Sequence, residues 1–256
     1  MFGRIAIFVY GVASYAVFFG TFLYAIGFVA NLGTPTSLDA GASGPLGTAL
    51  LVNLGLLAVF ALQHSVMARP AFKRVLTRRL VPEPAERSTY VLLSSVALIL
   101  LFAFWEPMGG VVWDVTSPRP RALLQALCMA GFVIVLVSTF LINHFDLFGL
   151  RQVWLHLIGR PYEHLPFRTP GPYRVVRHPL YVGWLVAFWA APTMTVAHLV
   201  FALATTGYIL AAIPFEEADL EQVHGEPYRR YRRTVGMLLP RRRGGQAARK
   251  PADVPS

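Results

Sequence analysis

Long apolar runs constrain this chain more than any other feature. Ile5 to Ala30, Leu46 to Met67, Tyr90 to Trp105 and Ala122 to Ile142 each come near the ~20 residues that a helix needs to cross a bilayer core. A fifth run, Pro179 to Phe215, is too long for one crossing, because at a rise of about 1.5 Å per residue it would reach roughly 55 Å. "AAPTMT" (Ala190 to Thr195) interrupts it with a proline and two threonines. The fifth run therefore reads as a helical hairpin that turns near Pro192. The expected fold is all-α: a polytopic integral membrane protein with four transmembrane helices and a C-terminal transmembrane hairpin. Composition agrees, with 55% hydrophobic and 14% charged residues, against about 25% charged in soluble domains.

Charge placement tests the count of crossings. The formal net charge is +10. Arg4 precedes the first run, and Arg69, Lys73, Arg74, Arg78, Arg79 and Arg87 lie between the second and third. Arg151, Arg160, Arg168, Arg174 and Arg177 separate the fourth from the hairpin, and a further arginine-rich segment follows it. Only Arg119 and Arg121 fall on the other side. The excess of arginine on one side of the membrane places both termini in the cytoplasm. That needs an even number of crossings, which the hairpin supplies. Such a distribution assigns the basic charge to loops facing membrane lipids, and no nucleic-acid partner is expected. Residues 1–240 read as a single membrane domain. Residues 241–256, rich in Arg, Gly and Pro, read as a disordered cytoplasmic tail. The single cysteine, Cys128, excludes an internal disulfide and reads as a packing residue.

The hairpin carries polar equipment at both feet. In "GPYRVVRHPLYVGW" (Gly171 to Trp184), Pro179 suits the first position of a helix. The free N–H groups and positive dipole end there suit an anion, and Arg174 and Arg177 add forked donors. At the other foot Glu216 and Glu217 directly follow the second arm, where carboxylates oppose the helix dipole by about 0.3–1 kcal/mol each. Something cationic should compensate them. A zwitterionic cofactor bearing a ribose would satisfy both feet. Alternatively Arg177 and the glutamates pair with each other to tie the hairpin closed, and Tyr173, Tyr181, Tyr228 and Tyr231 are interfacial belt residues.

"RHPLYVG" (Arg177 to Gly183) followed by "EEADLEQVHGEPYRRYRRTVGMLLP" (Glu216 to Pro240) resembles the paired C-terminal signature of the isoprenylcysteine carboxyl methyltransferase and phospholipid methyltransferase superfamily. His224 stands where that pattern carries phenylalanine. "FALQHSVMARPAFKR" (Phe60 to Arg74) and "FLINHFDLFGLRQVWLH" (Phe140 to His156) are similar to the NnrU-like methanethiol S-methyltransferases. The resemblance implies an S-adenosylmethionine-dependent enzyme that methylates methanethiol to dimethyl sulfide. It implies that Arg177 and His178, with the backbone around Tyr181 and Gly183, bind the carboxylate end or adenosine of the cofactor. Glu216 and Glu217 would take the ribose hydroxyls or the ammonium group, and Tyr228 and Tyr231 would close over the cofactor from the cytoplasm. Methylation of a larger substrate (a prenylcysteine carboxylate or a lipid amine), an NADPH-dependent membrane reductase and a non-catalytic protein of the same fold are the competing readings.

Methyl transfer to a thiol asks for a dry pocket and for ionisation of a weak acid whose pKa, about 10, lies above the ~8.5 of cysteine. Gln63 and His64 near the end of the second run, and Asn143, His144 and Asp146 at the end of the fourth, supply candidates at the depth of the hairpin's feet. His144 or His64 is expected as the base, with Asp146 orienting it. His156, His164 and His198 read as structural. No metal is expected, since His144 and Asp146 lack the i, i+3 or i, i+4 spacing that puts two ligands on one helix face. "GASGPLG" (Gly41 to Gly47) lacks the lysine of a phosphate loop. Phe18, Phe60 and Trp184 are candidate pocket liners. A small apolar thiol would enter through the bilayer and the charged cofactor from the cytoplasm.

Overall fold

The computed structural model describes residues 1–41 and 44–241. The expected tail beyond Arg241 and the middle of the Gly41–Gly47 stretch lie outside the described residues. Four long helices match the first four apolar runs: α1 (Phe2–Ala30), α2 (Leu46–Ala68), α4 (Glu86–Ala103) and α5 (Pro118–Ile142). A short helix, α3 (Pro70–Arg79), follows α2. The third run begins four residues earlier than expected, at Glu86, after a 3-10 turn at Glu83–Ala85. Its first turn keeps the charges of Glu86 and Arg87 at the end of the span, so hydropathy alone places the start too late.

After α5 come two short helices, α6 (His144–Leu147) and α7 (Leu150–Leu157). The hairpin consists of α8 (Pro179–Trp189) and α9 (Val196–His224), and α10 (Glu226–Thr234) ends the described helices. Among the described residues five helices are long and apolar enough to cross a membrane, and α8 is a shorter apolar helix beside them. The protein is thus a multi-pass, all-α membrane protein apart from one small ribbon.

That ribbon was not anticipated. Val111–Asp114 (β1), between α4 and α5, pairs antiparallel with Thr193–Thr195 (β2) at the tip of the hairpin. Trp113 Nε1 donates to the Ala191 carbonyl at 3.1 Å, and the Val115 N–H to the Pro192 carbonyl at 2.9 Å. The ribbon extends the reach of an 11-residue arm. At about 1.5 Å per residue α8 rises only about 16 Å. α9 rises roughly 33 Å from Val196 to Glu217, and the irregular link Ala190–Pro192 with the strand Thr193–Thr195 covers part of the difference. A buried cluster ties this end down: Asp39 accepts from Thr195 Oγ1 at 2.6 Å and from His198 Nδ1 at 2.9 Å. His198 is therefore structural.

The second arm differs from expectation. α9 runs through Pro214 to His224, so Glu216 and Glu217 sit inside a helix and do not follow its end. Proline removes one backbone donor, and a long helix packed on its neighbours absorbs that loss.

Close backbone approach locks α8 onto α5. A Cβ at Gly131 would lie 2.5 Å from the Ala187 nitrogen and 2.7 Å from the Gly183 carbonyl, and one at Gly183 would lie 2.8 Å from the Gly131 carbonyl. Small residues facing each other are the usual device for close helix contact where lipid gives no hydrophobic drive. Around this contact Phe22, Phe132, Ala187, Phe188 and Phe201 form the core, while Leu51, Val59 and Leu62 face outward. Replacing Gly131 by leucine should lower the unfolding temperature in detergent by several degrees or abolish folding, since overpacking costs about 1–3 kcal/mol or more. A thermal melt equal to wild type would show that the two helices do not touch there.

Candidate functional site

His178 and Glu217 hold together the two feet of the hairpin. Glu217 is buried, with its side chain 4% exposed, and Arg177 Nε donates to its Oε1 at 2.7 Å. His178 Nε2 lies 3.0 Å from the same oxygen, and Arg232 Nε reaches the other oxygen at 3.1 Å. The rest of the Arg177 fork donates to the carbonyls of Arg232 and Val235. Backbone bonds from Arg177 to Gly236 (2.8 Å) and from His178 to Met237 (3.2 Å) bring the segment after α10 alongside. Between the two sequence alternatives for Arg177, the structure forms the pairing one. Glu217 is likewise committed to the fold and has no oxygen without a cationic neighbour. Two guanidinium groups and an imidazole around this buried carboxylate keep it ionised.

Glu216, one residue earlier, is placed differently. Its side chain is 45% exposed, and it accepts from the Tyr181 hydroxyl at 2.8 Å. Tyr228 is buried, and its hydroxyl has no hydrogen-bond partner among the described residues. Burial pushes the Tyr228 phenol above its ordinary value, so it stays a donor. Tyr231 donates to the Tyr173 carbonyl at 2.6 Å, and Tyr228 and Tyr231 meet Phe167 edge-to-face at 5.7 and 5.4 Å. Arg174 is apart from this group, donating to the Thr169 carbonyl at 3.2 Å. Gly183 is buried against α5, so what it visibly supplies is close packing.

The two candidate bases are in contrasting settings. His144 is 2% exposed and lies flat on Phe140, with ring centroids 4.1 Å apart. Its Nδ1 is 2.8 Å from Thr139 Oγ1, whose own proton goes to the Leu136 carbonyl at 2.6 Å. Nδ1 therefore donates, and Nε2 accepts from the Tyr15 hydroxyl at 2.8 Å. This fixes a neutral ring with both nitrogens in use. Asp146 does not orient it as expected: it binds Arg151 at 2.9 Å and Tyr162 at 3.3 Å. The chain turns sharply at Asn143, whose φ of 101° sends Asp146 away from the imidazole.

His64 lies between α2, α4 and α9. Tyr90 Oη is 2.8 Å from Nε2 and 3.0 Å from Nδ1, and Ser94 Oγ is 3.2 Å from Nδ1. Phe60 stacks on one side at 5.2 Å, and the Tyr208 ring stands at 6.5 Å, nearly perpendicular. Gln63 donates to Met67 Sδ at 3.1 Å, and its buried Oε1 has no partner among the described residues. Ser65 Oγ lies 3.2 Å from the Tyr208 hydroxyl and Arg69 Nη1 3.4 Å from Asp219, so the helix that carries His64 is tied to the helix that carries Glu216. Of the expected liners only Phe60 belongs to the His64 group; Trp184 packs with Phe22 and Phe132, and Phe18 on Phe148. The sequence reading missed Tyr90, Ser94 and Tyr208. The spacing of Tyr90 and Ser94, i and i+4 within an apolar helix, is the signal that marks them.

Comparison with known proteins adds the family. A family model described as NnrU protein matches residues 52–217, a stretch that begins in α2 and ends on Glu217. The chain belongs to the NnrU family. It is 55% identical to the methanethiol S-methyltransferase of Crocosphaera subtropica over 93% of this chain and 92% of that protein. It is 56% identical to the methanethiol S-methyltransferase of Mycobacterium tuberculosis over 91% of this chain and 95% of that one. Nurim of Bos taurus is a more distant relative, 29% identical over 87% of each chain. No solved structure matches.

Two outcomes follow from the geometry. Glu217→Ala leaves the Arg177 guanidinium buried without its carboxylate, a loss of about 3–5 kcal/mol, and should depress the melting temperature strongly. A melt within a degree of wild type would mean that the ion cluster does not hold the hairpin. Burial also lowers the His144 pKa from its ordinary value. A folded-state pKa below the unfolded one favours folding above about 6.5, the unfolded value. That contribution is lost as pH falls. Between pH 7 and 5 the melting temperature of wild type should therefore drop more than that of His144→Gln.

Proposed function

We propose that this protein transfers a methyl group from S-adenosylmethionine to methanethiol, giving dimethyl sulfide. What carries the reading is the conjunction of greater than 50% identity to methanethiol S-methyltransferases along nearly the whole chain with an ion-locked hairpin foot that leaves Glu216 half-exposed beside Tyr181.

The residues present fit such a donor. Glu216 and Tyr181 offer a half-exposed carboxylate and a phenol that suit ribose hydroxyls or an ammonium group. Tyr228 brings a buried hydroxyl in want of an acceptor. Arg177, His178 and Glu217 would act one step back, as the frame that fixes Glu216, Tyr181 and α10. Bound there, S-adenosylmethionine supplies an electrophilic methyl on a sulfonium and departs as a neutral thioether. The protein's part is to hold that end at the edge of the membrane, keep water out and deliver an ionised acceptor. Positioning of two reactants is itself worth about 7–11 kcal/mol of barrier when alignment is good. In this reading the arginine-rich end faces the cytoplasm of a bacterial inner membrane, with both termini on that side. The cofactor enters there, and the thiol crosses from the bilayer.

Purified protein in detergent, given S-adenosylmethionine and methanethiol, should release dimethyl sulfide into the headspace. Cofactor bound with no thioether formed would remove the substrate from this reading. Glu216→Gln should weaken S-adenosylmethionine binding in calorimetry by at least about tenfold, the effect of about 1.4 kcal/mol, with little change in melting temperature. Equal affinity in the folded variant would take Glu216 out of the cofactor site.

A further inference from the structure

We propose that His64, Tyr90, Ser94 and Tyr208 form the methyl-acceptor site, with His64 as the base that takes the thiol proton and Tyr90 as the donor to the thiolate. This rests on the methyltransferase reading above and adds the place of the thiol and the groups that ionise it.

Polar side chains inside spanning helices are costly and mark functional sites by default. Here three such helices each contribute: His64 and Ser65 from α2, Tyr90 and Ser94 from α4, Tyr208 from α9. They are joined by hydrogen bonds, His64 to Tyr90 at 2.8 Å, His64 to Ser94 at 3.2 Å and Ser65 to Tyr208 at 3.2 Å. The cluster is not sealed. His144 has one fixed partner on each nitrogen, whereas the Tyr90 hydroxyl lies across the edge of the His64 ring within reach of both. One phenol proton can serve only one nitrogen. With Ser94 taking the Nδ1–H, Nε2 keeps the lone pair, and the phenol is the group that can turn away from it.

A thiol entering beside Nε2 meets a neutral acceptor between the Phe60 and Tyr208 rings. The S–H bond breaks, the proton goes to Nε2, and the electron pair stays on sulfur. For this transfer the Tyr90 O–H has first swung off Nε2, whose lone pair it occupies, to donate to that sulfur. The Arg87 guanidinium, 5.2 Å over the Tyr90 ring, adds a positive field that favours thiolate. The sulfur pair forms the new S–CH3 bond, the pair of the broken bond remains with the donor's sulfur, and His64 returns its proton to water. Ser94 is a positioning residue: it holds the ring in the tautomer that accepts at Nε2. Tyr208 stands on α9 about two turns before Glu216, so one helix carries both a wall of the acceptor site and the proposed donor contact. The aromatic walls suit a small alkyl group.

The test compares wild type, His64→Gln and Tyr90→Phe on two thiols, with cofactor affinity measured separately by calorimetry. Removing a general base should lower kcat for methanethiol by on the order of 100-fold in His64→Gln. Tyr90→Phe should lose about tenfold, as expected for one hydrogen bond to a charged group. Both should bind S-adenosylmethionine within about twofold of wild type, since the site proposed is the acceptor's. Trifluoroethanethiol, small and already ionised near neutral pH, needs no base, so the deficits should shrink to less than about fivefold. Equal deficits on both thiols, unchanged turnover of methanethiol, or loss of cofactor binding in folded variants would overturn the assignment. Should His64→Gln fail to accumulate, Tyr90→Phe, which deletes a single oxygen, decides it alone. A wild-type protein that binds the cofactor but methylates no thiol would instead remove the parent reading.

Discussion

The buried contact between Arg177 and Glu217 is the interaction on which the rest of this structure depends. A carboxylate and a guanidinium taken out of water hold together only when the remaining lone pairs and protons find partners. Here they do: His178 and Arg232 complete Glu217, and two backbone carbonyls complete Arg177. The cluster joins the start of α8, the inner part of α9 and the segment after α10. It thereby determines where Glu216, Tyr181 and Tyr228 point. A glutamate pair that looks equivalent in sequence is split into a structural member and an available one.

The opposite end of the hairpin eases a problem of length. An 11-residue helix cannot cross a bilayer, yet its partner can. The link from Ala190 to Thr195 covers part of the difference, and the backbone of its strand, Thr193–Thr195, pairs with β1. Asp39 and His198 pin this ribbon to the first loop. Glycines on α5 and α8 then let the short arm lie directly against its neighbour. Each end of the hairpin is thus fixed by polar contacts and its middle by close packing, an arrangement that leaves the faces of α2, α4 and α9 to surround His64.

Two histidines of similar depth end in different roles for reasons that only their partners reveal. His144 follows an apolar helix and precedes an aspartate, a pattern that suggests a base and its orienter. Asn143 in a left-handed conformation rotates the chain, so that Asp146 meets Arg151 and the imidazole is closed in by Thr139, Tyr15 and Phe140. His64 is flanked in sequence by Gln63 and Ser65, which do not contact its ring nitrogens. The residues that do come from α4, about 26 and 30 positions away.

Hydropathy and arginine placement determined the membrane class, the four single crossings and the returning hairpin, because a bilayer demands fixed lengths of apolar helix and sorts positive charge to one side. The paired motifs around Arg177 and Glu216 also determined that the hairpin's feet would meet. What the sequence could not contain was the division of labour between Glu216 and Glu217, the ribbon at the tip, and the group around His64. Those follow from which side chains three or four helices turn toward each other, and rotation about a helix axis is set by packing partners that one apolar span, read alone, does not specify.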